Sequence, residues 1–201
     1  MKKYLFYSVF IFALLFTTAF KFTSLLPIGS DLPKATLLIK DTENEDISMK
    51  DAARKNGLLV MFSCNTCPYV MKNQERTRTI CKYALQNNIG VILLNSNEEQ
   101  RNTEESLNAM RQYAKAQKYE WYYAVDKNYE LADAFGATKT LENFLFDKNM
   151  KLVYHGAIDD NPADAKNVKR QHVRQAINEM LLGKDISVKE SRGIGCAIRR
   201  K

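Results

Sequence analysis

The sequence predicts an α/β protein with a central mixed β-sheet and helices on both of its faces. Residues 58–63 and 91–95 are short, continuous apolar runs, which are typical of central strands buried on both faces. Segments with helical spacing of apolar residues alternate with these runs, as in α/β layer proteins. Two further apolar runs, on either side of residue 148, have the arrangement of a hairpin and add antiparallel strands.

The first half of the chain leads into the sheet. Residues 25–33 contain two prolines and a glycine and predict an irregular lead-in. Residues 35–40 predict a short strand, and the polar residues 41–46 predict a turn. The buried strand at 58–63 is followed by a predicted helix over about 68–86, which begins with a proline.

The middle of the chain repeats the alternation of strand and helix. Residues 91–95 predict the second buried strand. Asn102 and Glu105 have the spacing of a capping box and predict the start of a helix. Residues 121–125 predict a third strand, and residues 129–135 a short helix.

The end of the folded part is predicted to be a hairpin and a helix. Residues 143–147 and 152–155 form the two arms of the hairpin. Asn161 followed by Pro162 predicts the beginning of the last helix, and Gly183 predicts its end.

Composition and charge exclude several classes of protein. The chain has 201 residues, of which 45% are hydrophobic and 26% charged, which is typical of a globular protein rather than a disordered or fibrous one. The net charge of +7 lies at the ends, because residues 1–21 carry +3 and residues 184–201 carry +4. Residues 22–183 are therefore neutral, and we expect no nucleic-acid partner.

The N-terminus has the pattern of an export signal. Two lysines precede residues 4–20, an apolar run that is short for a membrane span of ~20 residues. We therefore divide the chain into a signal peptide or uncleaved N-terminal anchor (1–24), a folded domain (25–183) and a basic C-terminal tail (184–201). Either fate of the first segment predicts an exported protein, periplasmic or otherwise extracytoplasmic, with membrane contact only through an uncleaved segment. Disulfides persist in such compartments.

The residues that carry chemistry are Cys64 and Cys67, with Pro68 directly after them. They follow a buried strand and open the next helix. A thiol at a helix N-terminus faces unpaired N–H groups, which lower its pKa. We therefore expect Cys64 to be the exposed nucleophile and Cys67, one turn further on, to be the resolving thiol. This chemistry requires no cofactor and no metal.

This arrangement resembles the thioredoxin superfamily, and more closely its exported branch related to alkyl hydroperoxide reductases and thiol-specific antioxidant proteins. The resemblance covers nearly all of residues 30–198. It implies a thioredoxin-like fold, thiol–disulfide exchange at Cys64 and Cys67, and two kinds of partner: protein substrates with thiols or disulfides, and a redox partner protein. The segments that carry it are residues 62–70, 95–98, 144–147, 152–160 and 195–198.

The sequence departs from the family at one substrate-binding position. The family has a Thr-Pro pair with a cis proline beside the active-site cysteines, and its backbone contacts the substrate. Here the matching pair is Thr140 and Leu141. A cis bond before a residue other than proline costs ~3 kcal/mol, so we expect a trans peptide. Leu141 then either shields the dithiol or offers a substrate an apolar contact.

Two other functions stay open. One is a peroxiredoxin-like thiol peroxidase, although the peroxiredoxin pattern has Thr three residues before the attacking Cys, where this chain has Met61. The other is a weakly active binding module of thioredoxin-like fold, because Leu141 replaces the proline.

The two remaining cysteines have open roles. Cys81 lies on the predicted helix over 68–86 and is expected to be a buried, inert thiol. Cys196 is an accessory thiol that either pairs with Cys81, serves as a resolving or shuttle thiol, or packs against the domain. Neither forms a second ligand pair of the kind that structural zinc sites use.

Overall fold

The structure is a computed structural model, and it describes residues 24–200. The predicted signal peptide or anchor, apart from its last residue, lies outside this range. Among residues 24–200, no helix combines the length and apolarity needed to cross a membrane.

The centre of the protein is the predicted mixed sheet. Its strand order is β5-β4-β3-β6-β7. The strands β3, β4 and β5 run parallel to one another, and β6 runs antiparallel to both of its neighbours, β3 and β7. β1 and β2 form a separate two-stranded hairpin, which is joined to the edge of the main sheet where Thr42 N–H donates to the Tyr123 carbonyl at 2.9 Å. The strands are β1 (Ile39–Lys40), β2 (Asp46–Ile47), β3 (Leu58–Ser63), β4 (Gly90–Asn95), β5 (Tyr122–Val125), β6 (Asn143–Phe146) and β7 (Leu152–Gly156).

In residues 24–200, five α-helices cover the two faces of this sheet. They are α1 (Met49–Ala52), α2 (Pro68–Gln86), α3 (Leu107–Gln117), α4 (Glu130–Phe135) and α5 (His172–Leu181). Alternate residues of β3 point to opposite faces, so Val60 packs in the core with α1 and α4. Met61 packs in the core with α2, α3 and α5. Every residue of β3 is buried, as its continuous apolar run predicts.

The first strand and the last helix have boundaries that differ from the predicted ones. The predicted strand over 35–40 is reduced to Ile39–Lys40. The last helix begins at His172 rather than at Asn161. The Arg76 guanidinium donates to the carbonyls of Asn161 and Pro162 at 3.0 and 2.9 Å. The Pro162 carbonyl also accepts from the Asn73 side chain at 2.9 Å, so both of its lone pairs are used and it is not free to accept a helical N–H.

The basic C-terminal tail lies against the domain. The carbonyl of Lys189 accepts the His155 N–H at 3.0 Å, and Ser191 N–H donates back to His155 at 3.1 Å. These bonds cover part of the free edge of β7, which an edge strand otherwise exposes to other chains. Further along, the tail reaches the loop before β6, close to the end of β3.

Candidate active site

The site forms where β3 ends and α2 begins. Cys64 follows the last residue of β3, Cys67 is the N-cap of α2, and Pro68 is its first residue. Pro68 fits there because the first N–H groups of a helix have no acceptor within the helix. The sequence therefore predicts the place of the two cysteines in the fold correctly.

Three cysteines meet at this place. Cys67 forms a disulfide with Cys196, with their Cα atoms 6.0 Å apart, and Cys64 is a free thiol. Val70 and Leu141 pack against the cluster. Of the open roles for Cys196, pairing with Cys81 is wrong for this structure.

Cys81 lies away from this cluster, in the core on the α2 side of the sheet. It is a fully buried free thiol, and its Sγ lies 3.5 Å from Met61 Sδ. Burial raises its pKa well above the usual value for a thiol. This environment matches the inert role expected from the sequence.

The prediction that Cys64 is exposed and has a lowered pKa is wrong. The residue is only 1% exposed, and its pKa is raised to about 11. Burial is the largest cause, and the negative charge of Glu105 adds to it. Hydrogen bonds from the N–H groups of Cys67 and Thr66 and from the Thr140 side chain act in the opposite direction. The helix N-terminus does favour the thiolate, but desolvation and Glu105 outweigh it.

Glu105 is the site residue that sequence reasoning missed. Its carboxylate accepts the N–H groups of Asn65 and Thr66, at 2.9 and 3.2 Å, and the Thr66 hydroxyl at 2.9 Å. The predicted capping role is wrong, because α3 begins after Ser106, whose side chain caps it. Asn102 and Glu105 have the spacing of a capping box, but they do not cap α3. This spacing therefore did not reveal the contact between Glu105 and the cysteine loop.

A buried polar network holds Glu105 in place. The Asn95 amide donates to Glu105 at 2.6 Å and to the Tyr123 hydroxyl at 3.0 Å. That hydroxyl donates to the Asn65 side chain at 2.9 Å, which closes a ring of bonds around the loop. Asn95, Glu105 and Tyr123 are fully buried. Asn95 begins one of the segments that carry the family resemblance, and this is its structural role.

Thr140 and Leu141 lie beside the cysteines, as the resemblance implies. Leu141 is 2% exposed and packs on Cys64 and Cys67, so it shields the Cys64 thiol and the sulfur of Cys67. Its backbone is left-handed, with φ of 66°, and its N–H donates to the Phe62 carbonyl at 2.6 Å. The described residues contain no cis peptide bond. Of the two roles expected for Leu141, the structure shows the shield.

The chain's own tail occupies the backbone that the resemblance assigns to a substrate. Thr140 N–H donates to the Cys196 carbonyl at 2.8 Å, and Ile198 N–H donates to Thr138 at 2.9 Å. These bonds make residues 196–198 a short extended segment beside the loop before β6. Arg199 N–H donates to the Asn97 side chain at 3.0 Å, which ties the segment to the end of β4. Cys64, Cys67 and their expected substrate surface are therefore covered together.

Metal ligands are not clustered at this site or elsewhere in the range that the structure describes. Within residues 24–200, no group of three or more His, Cys, Asp or Glu side chains is arranged to hold a metal ion.

Comparison with known proteins gives a family and a fold. The model of the Redoxin family matches residues 27–171. No curated protein matches the chain. An uncharacterized conserved protein from Geobacillus kaustophilus is 26% identical, with a TM-score of 0.81 over 88% of this chain and 94% of its own.

Two more solved structures extend the comparison. A hypothetical protein from Sinorhizobium meliloti is 30% identical, with a TM-score of 0.79 over 89% of this chain and 97% of its own. A peroxidoxin from Mycobacterium tuberculosis is 12% identical and shares the fold, with a TM-score of 0.58 over 78% of this chain and 97% of its own. Together with the sheet order, these matches confirm the predicted thioredoxin-like fold.

Replacing the buried carboxylate tests its effect on Cys64. Glu105→Gln keeps the shape of the side chain and removes the charge that raises the Cys64 pKa. We therefore expect alkylation of Cys64 to reach its half-maximal rate at a lower pH. Site-resolved mass spectrometry across a pH series measures this rate. The control is Glu104→Gln at the exposed neighbouring position, which should leave the profile unchanged. An unchanged or higher midpoint in Glu105→Gln would contradict the assignment.

Restoring the family's proline is expected to damage the site. Leu141→Pro fixes φ near −65°, whereas the backbone at Leu141 has φ of 66°, and it removes the N–H that bonds to Phe62. We expect a loss of about 3 kcal/mol or more in the free energy of unfolding, measured by urea denaturation. Leu141→Gly tolerates the left-handed backbone and should instead speed alkylation of Cys64. Leu141→Pro as stable as the unchanged protein would refute this account of the loop.

Proposed function

The chain belongs to the Redoxin family, and on that premise we propose that it is an extracytoplasmic thiol–disulfide oxidoreductase that reacts through Cys64 and Cys67. Family membership supports a redox enzyme in general. The observation that carries the finer proposal is the meeting of three cysteines at the start of α2, two of them already joined in a disulfide.

The exchange takes two steps in the reduced protein. The Cys64 thiolate attacks one sulfur of a substrate disulfide, which forms a mixed disulfide and releases the first substrate thiolate. The Cys67 thiolate then attacks Cys64 Sγ, which releases the second substrate thiolate and leaves a Cys64–Cys67 disulfide. Two electrons pass to the substrate, and its two thiolates take up the protons of the two cysteines. The reverse sequence oxidises a substrate dithiol.

This reaction requires movement of the two segments that cover the site, which are Leu141 and the C-terminal tail. Burial is the largest cause of the raised Cys64 pKa, and Leu141 and the tail contribute to that burial. Movement of these covers would hydrate Cys64 and lower its pKa towards the ordinary thiol range. The closed structure, in which Leu141 and the tail cover the site, is therefore a protected state, and Cys64 is a neutral thiol in it.

The residue at position 61 favours dithiol exchange over peroxide reduction. Met61 stands where the peroxiredoxin pattern has Thr, and its sulfur lies against Cys81 in the core. The similarity to the mycobacterial peroxidoxin concerns the fold alone.

A binding module with little turnover is the second candidate, because Leu141 closes over Cys64 in a well-packed position. The two candidates differ in the effect of opening that cover. In an oxidoreductase, Leu141→Gly should change the rate of exchange, since access to Cys64 governs attack. In a binding module, the same variant should leave the negligible turnover as it is.

The extracytoplasmic part of the proposal is supported by the two lysines and the apolar run of residues 4–20. Expression of the full chain in bacteria, followed by cell fractionation and intact mass measurement, tests it. We expect the protein outside the cytoplasm, either shortened by about the first 24 residues or retained at full length on the membrane. Full-length protein in the cytoplasmic fraction would contradict export.

A redox titration tests the exchange itself. The protein is equilibrated across a series of glutathione or dithiothreitol buffers, and alkylation with mass spectrometry determines the state of each cysteine. We expect Cys67 to change between thiol and disulfide at a defined potential, with Cys64 as one of its partners. A potential of about −270 mV would indicate a reductant, and one of about −120 mV an oxidant.

Cysteine variants complete this test. Cys64→Ser and Cys67→Ser should each lower the dithiothreitol-driven reduction of insulin by about a hundredfold or more, since each removes a sulfur that must react. Cys81→Ala is the matched control, because Cys81 is buried away from the site. A Cys67–Cys196 disulfide that resists every buffer, together with insulin reduction unaffected by Cys64→Ser, would show that the cysteines are structural.

A further inference from the structure

Cys196 is the most accessible residue of the cysteine cluster. Cys64 and Cys67 are 1% and 3% exposed, whereas Cys196 is only partly buried. Exchange requires that the attacking thiolate reach the sulfur that it attacks. In the closed structure, an external thiolate therefore meets the Cys67–Cys196 disulfide at its Cys196 end.

The segment around Cys196 is fitted closely to the domain. A Cβ atom on Gly195 would lie 1.9 Å from the Thr140 carbonyl oxygen, so the approach of the two backbones requires glycine. Ile198 is buried in the core on the α1 side of the sheet, and the Arg200 guanidinium donates to Asp133 at 3.0 Å. These contacts hold Cys196 in the same position when the disulfide is broken.

We propose that Cys196 is a third redox residue, a relay thiol that passes electrons from a dithiol of another protein to Cys67. This inference rests on the proposed exchange function and extends it to the partner that reduces the protein. Arg192 and Arg199, both exposed and within four residues of Cys196, favour a partner with acidic groups around its dithiol.

The reaction with the partner conserves atoms and electrons. A partner thiolate attacks Cys196 Sγ, so that a partner–Cys196 disulfide forms, the Cys67–Cys196 bond breaks, and Cys67 leaves as a thiolate. The second partner thiolate then attacks the partner sulfur of this mixed disulfide and releases Cys196. The partner ends as a disulfide, and Cys67 and Cys196 gain two electrons and two protons.

An internal exchange connects this relay to the catalytic pair. When Cys64 and Cys67 form a disulfide after reducing a substrate, the Cys196 thiolate attacks Cys67 Sγ and releases Cys64 as a thiol. The protein then has the closed structure, with the disulfide between Cys67 and Cys196 and a free Cys64. No external oxidant or reductant takes part, because one disulfide replaces another. The disulfide thereby passes from the buried Cys64–Cys67 pair to the partly exposed Cys67–Cys196 pair.

Trapping a mixed disulfide tests the relay. The probe is thioredoxin with its resolving cysteine replaced by serine, which cannot complete the reaction and stays attached to the sulfur that it attacks. It is mixed with the full oxidised protein, and peptide mapping by mass spectrometry locates the bond. We expect attachment at Cys196, and in Cys196→Ser a rate of trapping lower by about tenfold or more, because the remaining Cys64–Cys67 disulfide is buried.

Two further variants separate the relay from a change in folding. Gly195→Ala keeps every cysteine but forces the tail away from Thr140, so we expect a larger share of the Cys64–Cys67 disulfide in the oxidised protein. Ala197→Ser, at an exposed neighbouring position, is the control and should behave as the unchanged protein.

The outcomes for the relay and for the proposed function are distinguishable. Attachment of the probe to Cys64 or Cys67, no attachment at all, or equal trapping in Cys196→Ser would overturn the relay. The proposed function is read separately in Cys196→Ser, through formation of the Cys64–Cys67 disulfide and its reduction by dithiothreitol. If that disulfide forms and turns over while the relay fails, exchange stands and Cys196 has only a structural role.

Discussion

The site depends on the burial of one carboxylate, that of Glu105, against the loop between Cys64 and Cys67. Removing a charge from water costs several kcal/mol, so the group must be surrounded by donors. The N–H groups of Asn65 and Thr66 and the Asn95 amide provide them. These bonds fix the loop at the end of β3. The backbone N–H groups at the start of α2 therefore serve both the Glu105 carboxylate and the Cys64 thiol.

Burial, and after it the neighbouring Glu105 carboxylate, determine the chemical state of Cys64. A helix N-terminus usually stabilises a thiolate, but here solvent is excluded and a second negative charge lies close to the thiol. The thiol form of Cys64 is therefore stable in the closed structure. Its neighbour Cys67, held in a disulfide, does not ionise at all. The same contacts that order the loop thus restrain its reactivity, which is a common balance between stability and activity at functional sites.

The covers over the cysteines use backbone as much as side chains. Leu141 adopts a left-handed conformation that turns its side chain onto the thiols, and its N–H is held by Phe62. The tail bonds to Thr140 through its main chain and buries Ile198. A left-handed leucine is unfavourable by itself and is stable here because the surrounding packing fixes it. Loop and tail together replace the surface that the resemblance assigns to a substrate.

The sequence by itself determined the sheet, the order of β3, the cysteine pair and α2, and the hairpin of β6 and β7. These features follow from local periodicity and from Pro68 at a helix start, which any short window of residues reveals. Only the tertiary structure decided that Cys196 meets Cys67 across 129 residues and that Glu105 turns to a loop 40 residues away. It also decided the burial of Cys64 and the left-handed turn at Leu141. The physical reason is that burial, charge proximity and disulfide pairing depend on which distant segments pack together, and local patterns carry no information about that packing.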